Sequence, residues 1–345
     1  MHMADALISP AVGGMMYAAS GAAIALSVIK GRKDNLLDEK KIPVMGIMSA
    51  FVFAGQMINF TIPGTGSSGH IGGGILLAAL LGGGPALLCI TAVLLIQCLI
   101  FADGGLLALG CNIFNMGVIP CLVAYPLLFK PFLKKGVSKK NITIASVLAV
   151  VIGLQLGAFA VVLQTLLSGI TQLPFGSFVL LMQPIHLAIG LVEGLVTAAV
   201  LVYVHSARPE LLESVQVKKP LSRQLSLTKV LAVLGVLVLL VGGGLSLFAS
   251  AYPDGLEWSI DGVLKQSEAI PASGESELRE VSAEGSVYDT FAGVQEATAV
   301  MPDYAFKDSD SAAGTSVAGI AGSFVVLLLA GGVGLIISKV KRKTA

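Results

Sequence analysis

Met1 and His2 can bring three nitrogen donors to one metal ion. A free Met1 amine, the His2 backbone nitrogen and the His2 ring Nδ1 close a five-membered and then a six-membered chelate ring, leaving one corner of a plane open. The best candidate for that corner is His70, which ends the loop Pro63-Gly64-Thr65-Gly66-Ser67-Ser68-Gly69-His70. Four nitrogens in a plane suit Ni(II) or Cu(II), and imidazole also serves cobalt and zinc. The chelate needs Met1 to be kept, and the peptidase that removes an initiator methionine requires a small second residue, which His2 is not. Taken alone, a Met-His start is also what chance produces.

Other polar side chains fall within apolar stretches, where they are costly and tend to be functional or paired. Gln56 and Asn59 sit three residues apart on one helical face just ahead of the His70 loop, placed either to orient metal ligands by hydrogen bonds or to hold helices together. Asp103, in Phe101-Ala102-Asp103-Gly104-Gly105, reads as a turn-forming Asp-Gly or as an attractor of cations. Asn112 and Asn115 share a face, suited to packing or to lining a pocket, and His186 and Glu193 are two turns apart, suited to a structural hydrogen bond or a proton or ion relay. His205 neighbours a basic cluster and takes no role. Cys89, Cys98, Cys111 and Cys121 form no CxxC pair and read as small buried hydrophobes. The phosphate-binding GxxxxGK[ST] pattern is absent, as are HExxH and any Ser-His-Asp arrangement, so the chain offers no ATPase or enzyme reading.

The elements that must position these residues are transmembrane helices. The 345 residues are 55% hydrophobic and 12% charged, against about 25% charged in soluble domains. Apolar runs of roughly 20 residues mark an all-α polytopic membrane protein. The first run, 12–29, lacks the basic start and cleavage site of a signal peptide, so it is read as a retained helix. Of the 22 basic residues, five lie in 30–41, five in 130–140, five in 208–229 and four in 339–343. These mark cytoplasmic segments. The stretch 250–315 carries 13 of the 21 acidic residues and only Lys265, Arg279 and Lys307 as basic ones, as expected of an outside segment.

Counting from an outside N-terminus, the expected crossings are 11–29, 43–60, 71–83, 85–102, 108–129, 142–166 and 183–204, a seven-helix core, followed by 230–249 and 317–338. The third is short and interrupted by Gly72-Gly73-Gly74 and Gly82-Gly83-Gly84, so it has the character of a re-entrant segment. Met1 and the His70 loop fall on one side, the C-terminus on the cytoplasmic side. The implied domains are a core over 1–205, a cytoplasmic linker over 206–229, and a second module over 230–345 whose two helices flank the acidic segment. The stretch 266–288, rich in Ser, Glu, Ala and Gly, has a disorder-prone composition.

Several of these stretches resemble one family. Met1-His2 with Asp5, Phe51-Val52-Phe53-Ala54-Gly55-Gln56-Met57-Ile58-Asn59-Phe60, the loop ending Ser68-Gly69-His70, Phe101 to Gly117, and His186 to Val200 are together similar to the substrate-specific M component (CbiM/NikM family) of cobalt/nickel energy-coupling-factor (ECF) transporters. Pro253-Asp254-Gly255-Leu256-Glu257-Trp258 resembles the PDGLE signature of the small N component, here fused into the same chain, and Pro302-Asp303-Tyr304 fits that module. The resemblance implies a prokaryotic multi-pass membrane protein that captures Ni2+ or Co2+ outside, with Met1, His2 and His70 as ligands, and that needs no organic cofactor. It also implies separate partners in the lipid bilayer and cytoplasm, namely a transmembrane coupling (Q-type) protein and ATP-binding-cassette ATPases, with no nucleic acid. The alternatives are a self-sufficient secondary transition-metal transporter, which would show an internal repeat, and a membrane metal sensor.

Overall fold

Inside a bilayer the backbone must satisfy its own N–H and C=O groups, and winding into helix is the local way to do so. In the computed structural model, which describes every residue except 34–39, 135, 172, 217–220, 222–225, 270–286, 308–310, 312 and 343–345, seven helices are long and apolar enough to cross a membrane. They are α1 (Pro10–Lys33), α4 (Gly83–Phe101), α5 (Leu109–Leu133), α6 (Lys139–Ser168), α7 (Phe175–Ala207), α9 (Thr228–Gly243, prolonged by a 3-10 turn to Phe248) and α12 (Ala313–Arg342). The chain is therefore an all-α polytopic membrane protein. A shorter apolar helix, α2 (Lys41–Gln56), packs with α4, α9 and α12. Short helices α8 (Pro209–Gln216), α10 (Gly255–Ala269) and α11 (Val287–Thr298) lie at the ends of the bundle.

The expected crossing over 71–83 is not a helix of spanning length. After α2 the chain makes a two-stranded antiparallel hairpin, β1 (Phe60–Ile62) and β2 (Ser67–Gly69), in the register Phe60↔Gly69, Thr61↔Ser68, Ile62↔Ser67. It then stays irregular to Gly73, which sits at φ +78°, and winds into only two turns, α3 (Gly74–Leu81), before Gly82 at φ +88° ends them. Eight residues rise about 12 Å, less than half of a ~30 Å hydrocarbon core. Gly82, at its far end, lies against Val215 of α8. The segment's unwound part is permitted because protein covers it and answers its backbone. Gln56 Nε2–H donates to the Gly72 carbonyl at 2.9 Å and the Gly73 N–H donates to the Glu193 carboxylate at 2.8 Å.

Three prolines also sit where helices continue. The sequence places a turn at Pro174 and Gly176 and starts the next helix at 183, yet α7 begins at Phe175 and runs through Pro184. Residues 175–182 are apolar enough to wind and pack along α6, which outweighs the hydrogen bond the proline removes. In α5 the stretch Phe114–Phe129 contains Pro120 and Pro126 and is wound in wider π-type turns. The composition-based disorder expectation for 266–288 falls mostly on residues outside those described; its last two residues open α11.

The module formed by α9 and α12 leans on α2. Its two helices meet backbone to backbone at Gly242 and Gly319, where a Cβ on Gly319 would lie 1.9 Å from the Gly242 carbonyl oxygen. Small residues are the usual means of such close approach between membrane helices.

Candidate metal centre

The N-terminal segment is threaded into the bundle rather than left on its surface. Met1 is 6% exposed and Met3 and Ile8 are 0% exposed. Backbone polar groups buried this way need partners, and α5 together with the loop before it provides them. The Met3 N–H donates to Asn112 Oδ1 at 2.8 Å, and the Met3 carbonyl accepts from Asn112 Nδ2 at 3.2 Å and from the Gly105 N–H at 2.9 Å. Asp5 Oδ1 accepts the Ala108 N–H at 2.9 Å, and Tyr288 of α11 donates its hydroxyl to the Ile8 carbonyl at 2.9 Å. Beneath Met3, Asn115 and Gln164 exchange two amide hydrogen bonds at 2.7 and 2.9 Å.

This seating brings Met1 to His70. The Met1 ammonium donates to His70 Nε2 at 3.2 Å. Neighbouring corners of a square of nitrogens bonded at about 2.0–2.1 Å lie about 2.9 Å apart, so the pair is close to the spacing that adjacent ligands of one ion require. His70 Nδ1–H donates to the Ile71 carbonyl at 3.1 Å, which fixes the tautomer and turns the Nε2 lone pair toward Met1. Burial, followed by the charge of the Met1 ammonium, drives the His70 pKa down to about 3, so its imidazole is neutral at physiological pH. The His2 ring stacks on His70, with centroids 5.1 Å apart and planes within 12°.

Two carboxylates hold the same donors. Asp254 forms an ion pair with the Met1 amine through Oδ2, and Asp103 Oδ1 accepts from His2 Nδ1 at 3.1 Å. Burial pushes both carboxyls upward, but the Met1 ammonium beside Asp254 and His2 beside Asp103 outweigh it and hold them well below the usual carboxylate range. Asp254 reaches its place because the stretch before α10 lies along the hairpin. Ser68 donates its N–H to the Pro253 carbonyl at 2.8 Å and its hydroxyl to that of Tyr252 at 2.7 Å, and Trp258 Nε1–H donates to the Thr65 carbonyl at 2.9 Å. Asp254 Oδ1 also caps α10, accepting the N–H groups of Leu256 and Glu257 at 2.8 and 3.0 Å, while Glu257 accepts the Asp254 N–H at 3.2 Å. That reciprocal arrangement is a capping box, so Asp-Gly-Leu-Glu starts a helix with one oxygen and binds the chain terminus with the other.

The sequence-derived residues thus meet in part. Met1, His2 and His70 come together, and His2, His70, Asp103 and Asp254 border an open chamber of about 520 Å3. Gln56 and Asn59 also border it, yet neither touches a candidate ligand: Gln56 holds the backbone two residues beyond His70, and the Asn59 carbonyl accepts the Ser250 N–H at 2.7 Å. Asp103 sits in the loop between α4 and α5, and its side chain serves His2 and the Tyr304 hydroxyl. Asp254 was legible only as part of a signature; the Asp-Gly-Leu-Glu spacing of a capping box is the local signal for a helix start there. Among the described residues no three His, Cys, Asp or Glu side chains gather to hold a metal. Any metal centre here must draw on the amine and backbone nitrogens.

The Asn112 contacts yield a direct expectation. Asn112→Ala removes both hydrogen bonds that its side chain makes to the Met3 backbone while changing no candidate ligand. Removing supports of this kind costs about 10–100-fold in metal affinity. A Ni(II) titration of the variant checks this, and unaltered affinity would show that the N-terminal seat does not matter.

Fold and site together define a helical membrane protein with a buried N-terminus beside an open, acid-bracketed chamber. Residues 2–211 match the family described as cobalt uptake substrate-specific transmembrane region, and the chain belongs to that family. Residues 228–339 match the PDGLE domain. The chain is 32% identical over 337 residues to a putative fused nickel transport protein NikMN of Archaeoglobus fulgidus, covering 95% of this chain and 96% of that protein. It is 29% identical over 322 residues to the fused nickel transport protein NikMN of Rhodobacter capsulatus, covering 88% of each. Among solved structures it is similar to a truncated transition metal transporter, with 30% identity and a TM-score of 0.53 over 60% of this chain and 99% of that one.

Proposed function

We propose that the chain is the substrate-binding membrane component of an ATP-driven importer whose substrate is Ni2+ or Co2+. The observation that carries this reading is the Met1 amine resting 3.2 Å from a neutral His70 Nε2 at the head of a broken crossing. The Met1 end of the bundle faces outward and the C-terminus lies in the cytoplasm. Residues 1–205 form the metal-binding core, 206–229 the linker and 230–345 the PDGLE module.

Capture exchanges two carboxylate contacts for metal bonds. Asp254 releases the Met1 amine and Asp103 releases His2 Nδ1, after which amine, amide nitrogen, Nδ1 and His70 Nε2 surround the ion. Before that exchange the two carboxylates give the chamber a negative rim that draws cations in. The planar nitrogen set favours nickel mildly over cobalt. ATP hydrolysis resides on separate ATP-binding-cassette subunits joined through a Q-type membrane protein, and their motion drives release from the His70 corner toward the cytoplasm.

Affinity should fall as the medium is acidified. The Met1 amine, the His2 amide and the His2 ring must shed protons to bind, whereas His70, with its pKa driven to about 3, stays unprotonated down to pH 5. Ni(II) titrations between pH 8 and 5 should therefore show steady weakening, and a flat profile counts against a nitrogen-only site. Vesicle uptake separates the classes. Accumulation only when the coupling protein, the ATPases and ATP are supplied supports the importer. Accumulation by the chain alone in an ion gradient marks a secondary transporter, and no flux under either condition marks a sensor.

A further inference from the structure

Beneath Met1 and His70 lies a small cavity of about 40 Å3, walled in part by His186, Glu193, Asn115 and Gly255. The space exceeds the ~10–15 Å3 that one water-sized sphere occupies. His186, 1% exposed, donates its Nδ1–H to the Met182 carbonyl of its own helix at 2.8 Å, leaving Nε2 as the atom with a lone pair. That Nε2 is buried and has no hydrogen-bond partner. A backbone acceptor on one ring nitrogen and a free lone pair on the other is the arrangement a metal-binding imidazole adopts. Glu193 lies seven residues on, on the same face of α7 and about 10 Å deeper at 1.5 Å per residue. Its carboxylate is the only acidic group in α7, a helix whose depth makes charge expensive unless it serves a purpose.

We propose that this cavity is a second station for a divalent late first-row metal cation, one step inward from Met1 and His70. His186 Nε2 takes the ion as it leaves His70, and the Glu193 carboxylate draws it on toward the unwound backbone at Gly72 and Gly73. The spacing along α7 makes the two side chains successive contacts rather than joint ligands. Gly255 forms the roof over His186, since a Cβ there would lie 3.3 Å from Nε2 and 3.0 Å from Cε1. The PDGLE glycine thus leaves open the space in front of the free nitrogen. This proposal rests on the outer-site reading above, and its test keeps the two separable.

The test measures Co(II) binding by equilibrium dialysis, with X-ray absorption at the cobalt edge, on the full-length chain. It compares the native protein, a form with one extra residue before Met1, and each of these carrying His186→Ala, Glu193→Gln or Gly255→Ala. The native chain should show a tight and a weaker step. The extended form should keep only the weaker one, with an oxygen-and-imidazole spectrum. His186→Ala should abolish the weaker step in both backgrounds. Gly255→Ala should do so with both side chains present, and Glu193→Gln, which keeps an oxygen for the Gly73 N–H, guards against misfolding as the cause. A single step in the native chain with none in the extended form overturns the inner station and leaves the outer site standing. A tight step that survives extension removes the outer site instead. A weaker step that survives His186→Ala overturns the inner station in either background.

Discussion

One residue added ahead of Met1 is expected to lower Ni(II) and Co(II) affinity at least ~1000-fold, about 4 kcal/mol. The extension turns the Met1 amine into an amide, removes its charge from beside Asp254 and puts the new amine one residue outside the seat that meets His70. There is no room to accommodate the addition in place, because Met1 is 6% exposed and its methyl group reaches Gly157 of α6. The helices that make up the membrane bundle are untouched, so the unfolding midpoint should shift little while binding collapses. His70→Ala, which removes one donor and leaves the tridentate chelate, should cost less than the extension. Calorimetric titration of the three proteins decides the matter. If the extended chain binds as the native one does, the assignment of Met1, His2 and His70 is withdrawn, though membership of the family stands on residues 2–211.

What the sequence disclosed was what depends on near neighbours. Hydropathy located α1, α4 and α6 within a few residues, because a bilayer demands a helix of that length regardless of what packs beside it. The chelate donors at Met1 and His2 were legible because ring closure is a property of adjacent residues. The glycine runs at 72–74 and 82–84 announced a broken crossing, but its form depends on Gln56 and Glu193, whose side chains hold its backbone from other helices. Pro174 and Gly176 read as a turn, and only packing against α6 reveals that α7 starts there and continues through Pro184. The two carboxylates were the least legible part of the site. Asp103 and Asp254 come from loops 151 positions apart, and nothing local to either residue says that the first will meet His2 and the second Met1.

Gly105→Ala should weaken metal binding by roughly 100-fold or more, although it changes no donor and lies outside every helix. The N-terminal segment presses so closely on this loop that a Cβ at 105 would fall 1.9 Å from Asp5 Oδ1 and 2.4 Å from the Asp5 backbone nitrogen. The side-chain clash alone could be relieved by a rotation of Asp5, at the loss of its hydrogen bond from the Ala108 N–H. The clash with backbone cannot, so the segment must lift by more than an ångström. Lifting it parts the Met3 carbonyl from the Gly105 N–H and carries Met1 away from His70. Misplacement on the scale of 1 Å is enough to cost about 100-fold where function depends on held geometry. Gly176→Ala is the matched control, since a Cβ there meets nothing within 4 Å and should leave affinity unchanged. If the Gly105 variant also binds normally, the terminus must find the ion from an unseated position, and the buried seat built by Asn112, Gly105 and Asp5 would be packing rather than preorganisation. If only Gly105→Ala fails, the ligands are insufficient without that seat, and affinity is set as much by the loop that holds the first two residues as by the nitrogens they carry.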